Sequence, residues 1–279
     1  LKRGSRELTA AGVTPQASRD DAELLLRHAL GCSRESFLAR MQEPVPAEAR
    51  GLYLQLIERR KGRVPIQYLI GSVEFFGLTF RVTPAVLIPR PDTECLVEEA
   101  ITRLAEREPP RHVVDVGCGS GCIAVALCAS LPGTELTAIE ASHAALAVAR
   151  ENAIRNGVGD RIRFVSGDLL EPIESTGLRV DAVVSNPPYV DEADLAKLEP
   201  EVSEHEPRMA LDGGERGLEV LARLVSAAPN VLLPGGLLLL EIGHGQAEAV
   251  EDMLARSKLV HGATVPDLSG IPRVVVATA

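Results

Sequence analysis

The stretch Arg111-His-Val-Val-Asp115-Val-Gly117-Cys-Gly119-Ser-Gly121-Cys-Ile-Ala-Val-Ala-Leu-Cys-Ala-Ser130 decides the fold. Its first part, His112 to Val116, is β-branched and short, which predicts a buried strand. Three glycines at alternate positions then let the backbone turn sharply and approach a ligand. Cys122 to Ser130 is apolar and free of breakers, which predicts a helix. Strand, glycine loop and helix together put backbone N–H groups at a helix start, where an anionic group is favoured.

Outward from this unit the same alternation repeats. Strands are predicted at Leu136–Ile139, Arg161–Val165, Ala182–Ser185 and Gly236–Glu241, with helices at Ala141–Asn156, Gly217–Ala228 and Gln246–Arg256. Two late strands are predicted at Leu259–Thr264 and Arg273–Ala277. Repeated β-α units imply an α/β fold: a mostly parallel, Rossmann-like, seven-stranded sheet covered on both faces.

The glycine pattern is GxGxG, Gly117 to Gly121, rather than the dinucleotide pattern GxGxxG. That spacing suits S-adenosylmethionine, which has no pyrophosphate to span. Gly117, Cys118, Gly119, Ser120 and Gly121 are therefore the candidate cofactor loop. Glu140 ends the second strand about 20 residues on, where an acid accepts from ribose hydroxyls. Asp168 ends the third strand, where it is placed to accept from the adenine amine. Taken singly, an acid after a strand is often only a helix cap, a role open to Ser142 as well.

The fourth strand runs into Asn186-Pro187-Pro188-Tyr189. Two prolines forbid both a helix and a continuing ladder, and Pro187 restricts Asn186 to extended or turn geometry. A stiff polar motif at the end of a strand lies where open α/β sheets bind ligands. The Asn186 side-chain carbonyl and the Asn186 or Pro187 main-chain carbonyl are two neighbouring acceptors, suited to an NH2 group. Tyr189 offers a flat face for a planar group. The implied guest is a carboxamide or an exocyclic base amine. Asn186, Pro187 and Tyr189 are the candidate catalytic residues, with Pro188 also in the substrate notch and Asn186 also beside the cofactor.

Residues 5 to 65 read as helices. Ser18 is read as the cap of one that Gly31 ends, Ser33 as the start of a shorter one, and Pro46 to Lys61 as another with Leu52, Leu56 and Ile57 on one side. Phe75 to Val82 reads as a hairpin turning at Gly77. Asp92 or Thr93 is expected to cap a helix from Glu94 to Arg107. Arg90, between two prolines, either faces a ligand or forms a salt bridge. The predicted organisation is a helical recognition domain over 1–70, a hairpin linker over 71–91 and a methyltransferase domain over 92–279.

The chain has 279 residues and a net charge of −10. An acidic chain argues against a broad nucleic-acid-binding face. Residues 1 to 70 hold 12 basic and 8 acidic residues, hence +4, so the remainder carries −14. The two parts either meet different partners or differ only in their solvated helix surfaces. The cysteines show neither CxxC nor His partners at zinc spacing, so no metal is expected. Leu1-Lys-Arg-Gly-Ser is followed by no apolar run, so no signal peptide is expected, and no apolar run reaches about 18 residues; the expectation is a cytoplasmic protein that does not enter a membrane. His205 and His244 are read as structural.

The segments DVGCGSG, SNPPYV, LIPRPDTE (Leu87–Glu94) and EPRMALDGGERGL (Glu206–Leu218), with the acid at Glu140, resemble the release-factor glutamine methyltransferases (PrmC/HemK family). The resemblance spans nearly the whole chain. NPPY alone is shared with adenine-N6 methyltransferases, whereas the LIPRPDTE and EPRMALDGGERGL segments single out this family. The resemblance implies a class I S-adenosylmethionine-dependent methyltransferase domain behind a small helical bundle. It implies as acceptor the glutamine N5 of the GGQ motif in peptide chain release factors. Gly117 to Gly121, Glu140 and Asp168 would bind the cofactor and Asn186 to Tyr189 the glutamine. The family's usual acid at Glu140 is Asp, and the position of Asp168 varies. A monomer is expected. The alternatives are a glutamine methyltransferase for a ribosomal protein, an adenine-N6 nucleic-acid methyltransferase, and a non-catalytic module that kept the fold.

Overall fold

The computed structural model describes residues 1–109 and 111–279. The chain divides into two compact units, Leu1–Ser72 with Glu199–His205, and Val73–Leu198 with Glu206–Ala279. Two boundaries therefore differ from the sequence reading. The hairpin belongs to the larger unit rather than standing as a linker, and residues 199–205 belong to the helical unit.

The helical unit contains helices Lys2–Ala10, Pro15–Leu30, Arg34–Ala39, Ala47–Lys61, Ile66–Ile70 and Pro200–Ser203. Leu8, Leu25, Phe37, Tyr53, Leu56 and Ile57 are in its core. Thr14, not Ser18, caps the second helix, its side chain accepting from Ala17 N with Pro15 in the first turn. Ser18 lies one turn inside, buried, and donates to the Val13 carbonyl at 3.1 Å. Leu52 is 41% exposed and Tyr53 takes the core position beside Leu56. Residues 199–205 join this unit through charge. Glu201 receives Arg60 at 2.8 Å and Arg63 at 2.6 Å, while Arg60 also holds Asp21 at 2.7 Å. Burial pushes Glu201 up, but the hydrogen bonds from Arg63 and Arg60 outweigh it and hold the carboxyl at about 2. His205 bonds the Gly62 carbonyl at 3.0 Å, a structural role.

The hairpin pairs β1 (Ser72–Phe75) with β2 (Leu78–Arg81). Phe76 and Gly77 both have positive φ, 52° and 70°, the signature of the two-residue turn that matches strand twist. The larger unit continues with helix Thr93–Ala105 and strands β3 (Arg111–Val116), β4 (Thr134–Glu140), β5 (Ile162–Ser166), β6 (Val180–Ser185), β7 (Leu232–Glu241), β8 (Val260–Pro266) and β9 (Pro272–Thr278). These seven strands form one sheet in the order β5-β4-β3-β6-β7-β9-β8. β5 through β7 are parallel, and β9 is antiparallel to β7 and β8. Along β3 the side chains alternate. Val113 packs with Leu96, Ile123 and Leu127 on one face, and Val114 and Val116 pack with Leu221 and Leu224 on the other. Both faces are thus covered, as a parallel sheet requires.

The strand order places the site. From β3 the chain adds β4 and β5 on one side, then crosses to add β6 and β7 on the other. The order reverses at β3, so the crevice at its C-terminal end, between it and β6, is the expected ligand position. Val116 pairs with Ser185 and with Ile139, and Ser185 pairs with Leu240. Gly117, Glu140, Asn186 and Glu241 therefore leave the ends of four neighbouring strands side by side.

Candidate active site

The glycine loop is shaped by its neighbours. Gly117, Gly119 and Gly121 have φ of 71°, 53° and 79°, which a side chain would strain. Gly117 N and Cys118 N both donate to the Ile139 carbonyl, at 2.8 and 3.0 Å. A Cβ on Gly117 would meet nothing within 4 Å, and one on Gly119 would have its nearest neighbour at 4.0 Å. Their outer faces are open to a ligand. Gly121 differs: its Cβ would lie 3.1 Å from that of Ala149, so this glycine serves loop-to-helix packing.

Glu140 is where the sequence placed it. Its Oε2 accepts from Gly119 N at 2.9 Å and its Oε1 from Ser142 N at 3.0 Å. Each oxygen keeps lone-pair capacity for a diol. Beneath the loop, Asp115 Oδ2 accepts from Ala124 N at 3.1 Å. It thereby caps helix Cys122–Ser130, whose own cap residue, Gly121, has no side chain. Asp115 is fully buried, its Oδ1 lacks a hydrogen-bond partner, and burial pushes its carboxyl up to about 7. Asn152 donates to the Ser120 carbonyl at 2.9 Å and exchanges two bonds with the Arg81 backbone, tying glycine loop, helix and hairpin together. Burial pushes the Cys118 and Cys122 thiols up, the latter to about 12, so neither is an available thiolate.

Asp168 is half-exposed and its Oδ2 is paired with Arg223 of helix Glu219–Ala227. No hydrogen bond ties it to the glycine loop; its adenine role stays an expectation.

The second half of the site is the NPPY turn. Ser185 Oγ donates to the Val116 carbonyl at 2.7 Å, fastening the ends of β3 and β6 together. Asn186 is half-buried and its Nδ2 donates to Thr93 Oγ1 at 3.0 Å. Thr93 is 2% exposed, and Asp92, the cap residue of its helix, makes no side-chain capping bond. The expected capping at Asp92 or Thr93 is thus replaced: Asp92 pairs with Arg273 at 3.1 Å and Thr93 supports Asn186. Tyr189 donates its hydroxyl to Glu241 Oε1 at 3.3 Å, and burial pushes the phenol well up. Pro187 is buried and Pro188 half-buried.

Two segments without assigned roles brace this turn. Arg90 pairs with Glu206, which is 7% exposed and also accepts from Ile88 N at 3.2 Å, so the LIPRPDTE segment is fastened to the start of EPRMALDGGERGL. Arg90 is therefore a salt-bridge residue. Burial raises the Glu206 carboxyl even against the pull of Arg90. Further along, Gln246 takes Gly243 N on its Oε1 at 2.8 Å. Its Nε2 reaches the carbonyls of Tyr189 at 3.0 Å and Gly217 at 3.2 Å. Thr93, Gln246 and Glu241 were absent from the sequence reading of the site. The signal for Thr93 and Glu241 was position alone: one follows a proline-rich entry, the other ends a strand.

Residues 1–71 match the family model "PrmC N-terminal domain" and residues 93–202 the family model "Methyltransferase small domain". A release factor glutamine methyltransferase of Geobacter sulfurreducens is 46% identical, over 92% of this chain and 88% of its own length. The chain belongs to the release factor glutamine methyltransferases. A solved release-factor-specific protein-(glutamine-N5) methyltransferase of Alicyclobacillus acidocaldarius is 34% identical, covering 71% of this chain and 98% of its own, with a TM-score of 0.46. A methyltransferase from Pyrococcus furiosus, 16% identical, shares the fold over 81% of this chain and 96% of its own, with a TM-score of 0.53. As a member of the glutamine methyltransferase family, the chain is a transferase with the class I fold, and its cofactor is S-adenosylmethionine. The open faces of Gly117 and Gly119 and the free lone pairs of Glu140 fit that cofactor.

Proposed function

We propose that this protein methylates the side-chain N5 of the glutamine in the GGQ motif of peptide chain release factors. The observation that carries the reading is the direction of the Asn186 carboxamide. With Nδ2 given to Thr93, Oδ1 remains as an acceptor at the end of β6, next to the main-chain carbonyls of the turn and beside the glycine cradle. A carboxamide NH2 presents two donors, and two such acceptors hold both.

An amide nitrogen is a poor nucleophile because its lone pair is delocalised into the carbonyl. Bound S-adenosylmethionine supplies an electrophilic methyl group. The Asn186 oxygen and the neighbouring main-chain carbonyl stabilise the positive charge that grows on the glutamine nitrogen, and they aim its lone pair. Positioning of this kind supplies several kcal/mol, about 7 in well-oriented systems. The protonated amide is strongly acidic and releases its proton to water without a dedicated base. Asp168 accepting from the adenine amine, and Glu140 from the ribose hydroxyls, complete the proposed cofactor contacts.

The test is mass spectrometry of a bacterial release factor incubated with the protein and isotope-labelled donor. The expected result is one labelled methyl on the GGQ glutamine. Label on another residue, or on added RNA or DNA only, would overturn the reading.

A further inference from the structure

A cleft of about 480 Å³ lies beside the NPPY turn, within the usual size range of ligand sites. Tyr189, Asp191, Asp194, Arg216, His244 and Gln246 line it. Tyr189 is also the flat face read above for the substrate carboxamide, so the cleft begins at the substrate notch. Gln246 joins its two sides. The Gln246 Nε2 donates to the carbonyls of Tyr189 at 3.0 Å, Gly217 at 3.2 Å and Arg216 at 3.3 Å. The main chain of Arg216 is thereby held to the turn.

The Arg216 side chain is spare. It is exposed, and among the described residues its guanidinium makes no ion pair or hydrogen bond. Its backbone is strained, with φ 57° and ψ 11° inside the short turn Glu215–Gly217. Glycine adopts that conformation freely, whereas a residue with a Cβ does not. Strain of this kind gathers at ligand clamps. Across the cleft, Asp191 Oδ1 accepts from Ala193 N at 3.0 Å, which leaves Oδ2 as an acceptor. Asp194 is paired with Lys197. The His244 ring meets no hydrogen-bond partner among the described residues.

We propose that this cleft takes the main chain of the two glycines that precede the substrate glutamine, with Arg216 donating to a carbonyl there. The proposal rests on the glutamine-binding role given to the NPPY turn. A peptide main chain presents carbonyls and N–H groups together. Arg216 donates to the first, and Asp191 Oδ2 accepts from the second. A phosphate or an acidic side chain would instead meet Asp191 and Asp194 as like charges. Glycine has no side chain to hold its main chain away from the cleft wall. Arg216 is thus a specificity-determining residue that reads bare backbone next to the glutamine.

The experiment compares wild type with Arg216→Gly, using a bacterial release factor as substrate. R216G keeps the left-handed turn and removes the guanidinium. Its KM for the factor should rise at least about fivefold, the loss of a hydrogen bond from a charged donor. Its kcat should change less than about twofold, with donor Kd flat, because the lost contact is made equally before and during reaction. Its urea midpoint should not fall, since glycine relieves the strained φ. A smaller rise in KM overturns the proposal, and a lower midpoint with weaker donor binding marks a structural role and overturns it too. Inorganic phosphate, set against chloride at equal ionic strength, should not compete with the factor. Phosphate that competes with wild type but not with R216G marks an anion site and overturns the peptide assignment. If the wild type leaves the release factor unmethylated, the proposed function fails, and 15N NMR of the wild-type protein decides the cleft. The Arg216 Nε–H resonance, assigned by its loss in R216G, should shift on addition of acetyl-Gly-Gly-Gln-amide, and a resonance that stays constant overturns the proposal.

Discussion

Gly217→Ala tests whether the EPRMALDGGERGL segment acts as a brace for the substrate turn. Gly217 has a φ of +67°, and a Cβ there would lie 2.0 Å from the Tyr189 carbonyl oxygen, 2.7 Å from its carbon and 2.8 Å from Gln246 Nε2. Ordinary contact begins near 3.4 Å, so the added carbon calls for a shift of about 1.4 Å, and the obstacle is backbone. Left-handed φ costs an alanine about 1 kcal/mol. Overpacking against a fixed neighbour adds about 1–3 kcal/mol. Loss of the Gln246 bond to Tyr189 adds about 1 kcal/mol. The sum is about 3–5 kcal/mol. Gly177→Ala is the matched control, with a φ of +69° and nothing within 4 Å of its Cβ, so only the first cost, about 1 kcal/mol, applies. The stability gap between the two variants, from urea midpoints, should be about 2–4 kcal/mol. The displaced Tyr189 carbonyl should also lower kcat, by about 100-fold if the turn moves by an ångström. Donor Kd should stay near wild type, because the glycine cradle is fastened separately by Ile139 and Glu140. Equal midpoints and equal kcat for the two variants would remove the bracing argument.

Asn186→Ala should collapse turnover, by about 100-fold or more, while largely sparing donor affinity measured by calorimetry; near-normal kcat would refute its role. Native stability should rise as pH falls from 8 toward 5. Asp115 and Glu241 are each pushed up to about 7 by burial, so the native state binds protons that the unfolded chain releases. Their stabilising contribution is present at low pH and is lost as pH rises through about 7. Glu241→Gln should flatten part of that slope, read from urea midpoints at pH 5.5 and 8, and an opposite slope would contradict the burial argument.

Much of the fold was legible because its determinants are local. Every strand of the seven-stranded sheet was expected within a few residues, and helix Cys122–Ser130 was expected with its observed bounds. The glycine loop, Glu140 and the NPPY turn were placed correctly at strand ends, because glycine and proline constrain their own backbone whatever surrounds them. Capping was less legible. Ser18 and Asp92 are both good capping residue types, but Thr14 with Pro15 begins the second helix, and Asp92 is drawn to Arg273.

Composition, periodicity and the glycine and proline punctuation of the sequence determined the alternating β-α architecture and the two halves of the site. These features act through backbone conformation and the burial of one face, which each segment encodes in its own residues. The tertiary structure alone decided which distant polar groups meet. It set Asn186 against Thr93 and Tyr189 against Glu241, paired Arg90 with Glu206, and gave residues 199–205 to the helical unit through Arg60 and Arg63. A charge or hydroxyl carries no record of its partner in its own neighbourhood. The partner is set when strand order brings separate strand ends together, and only there does burial make the pairing matter.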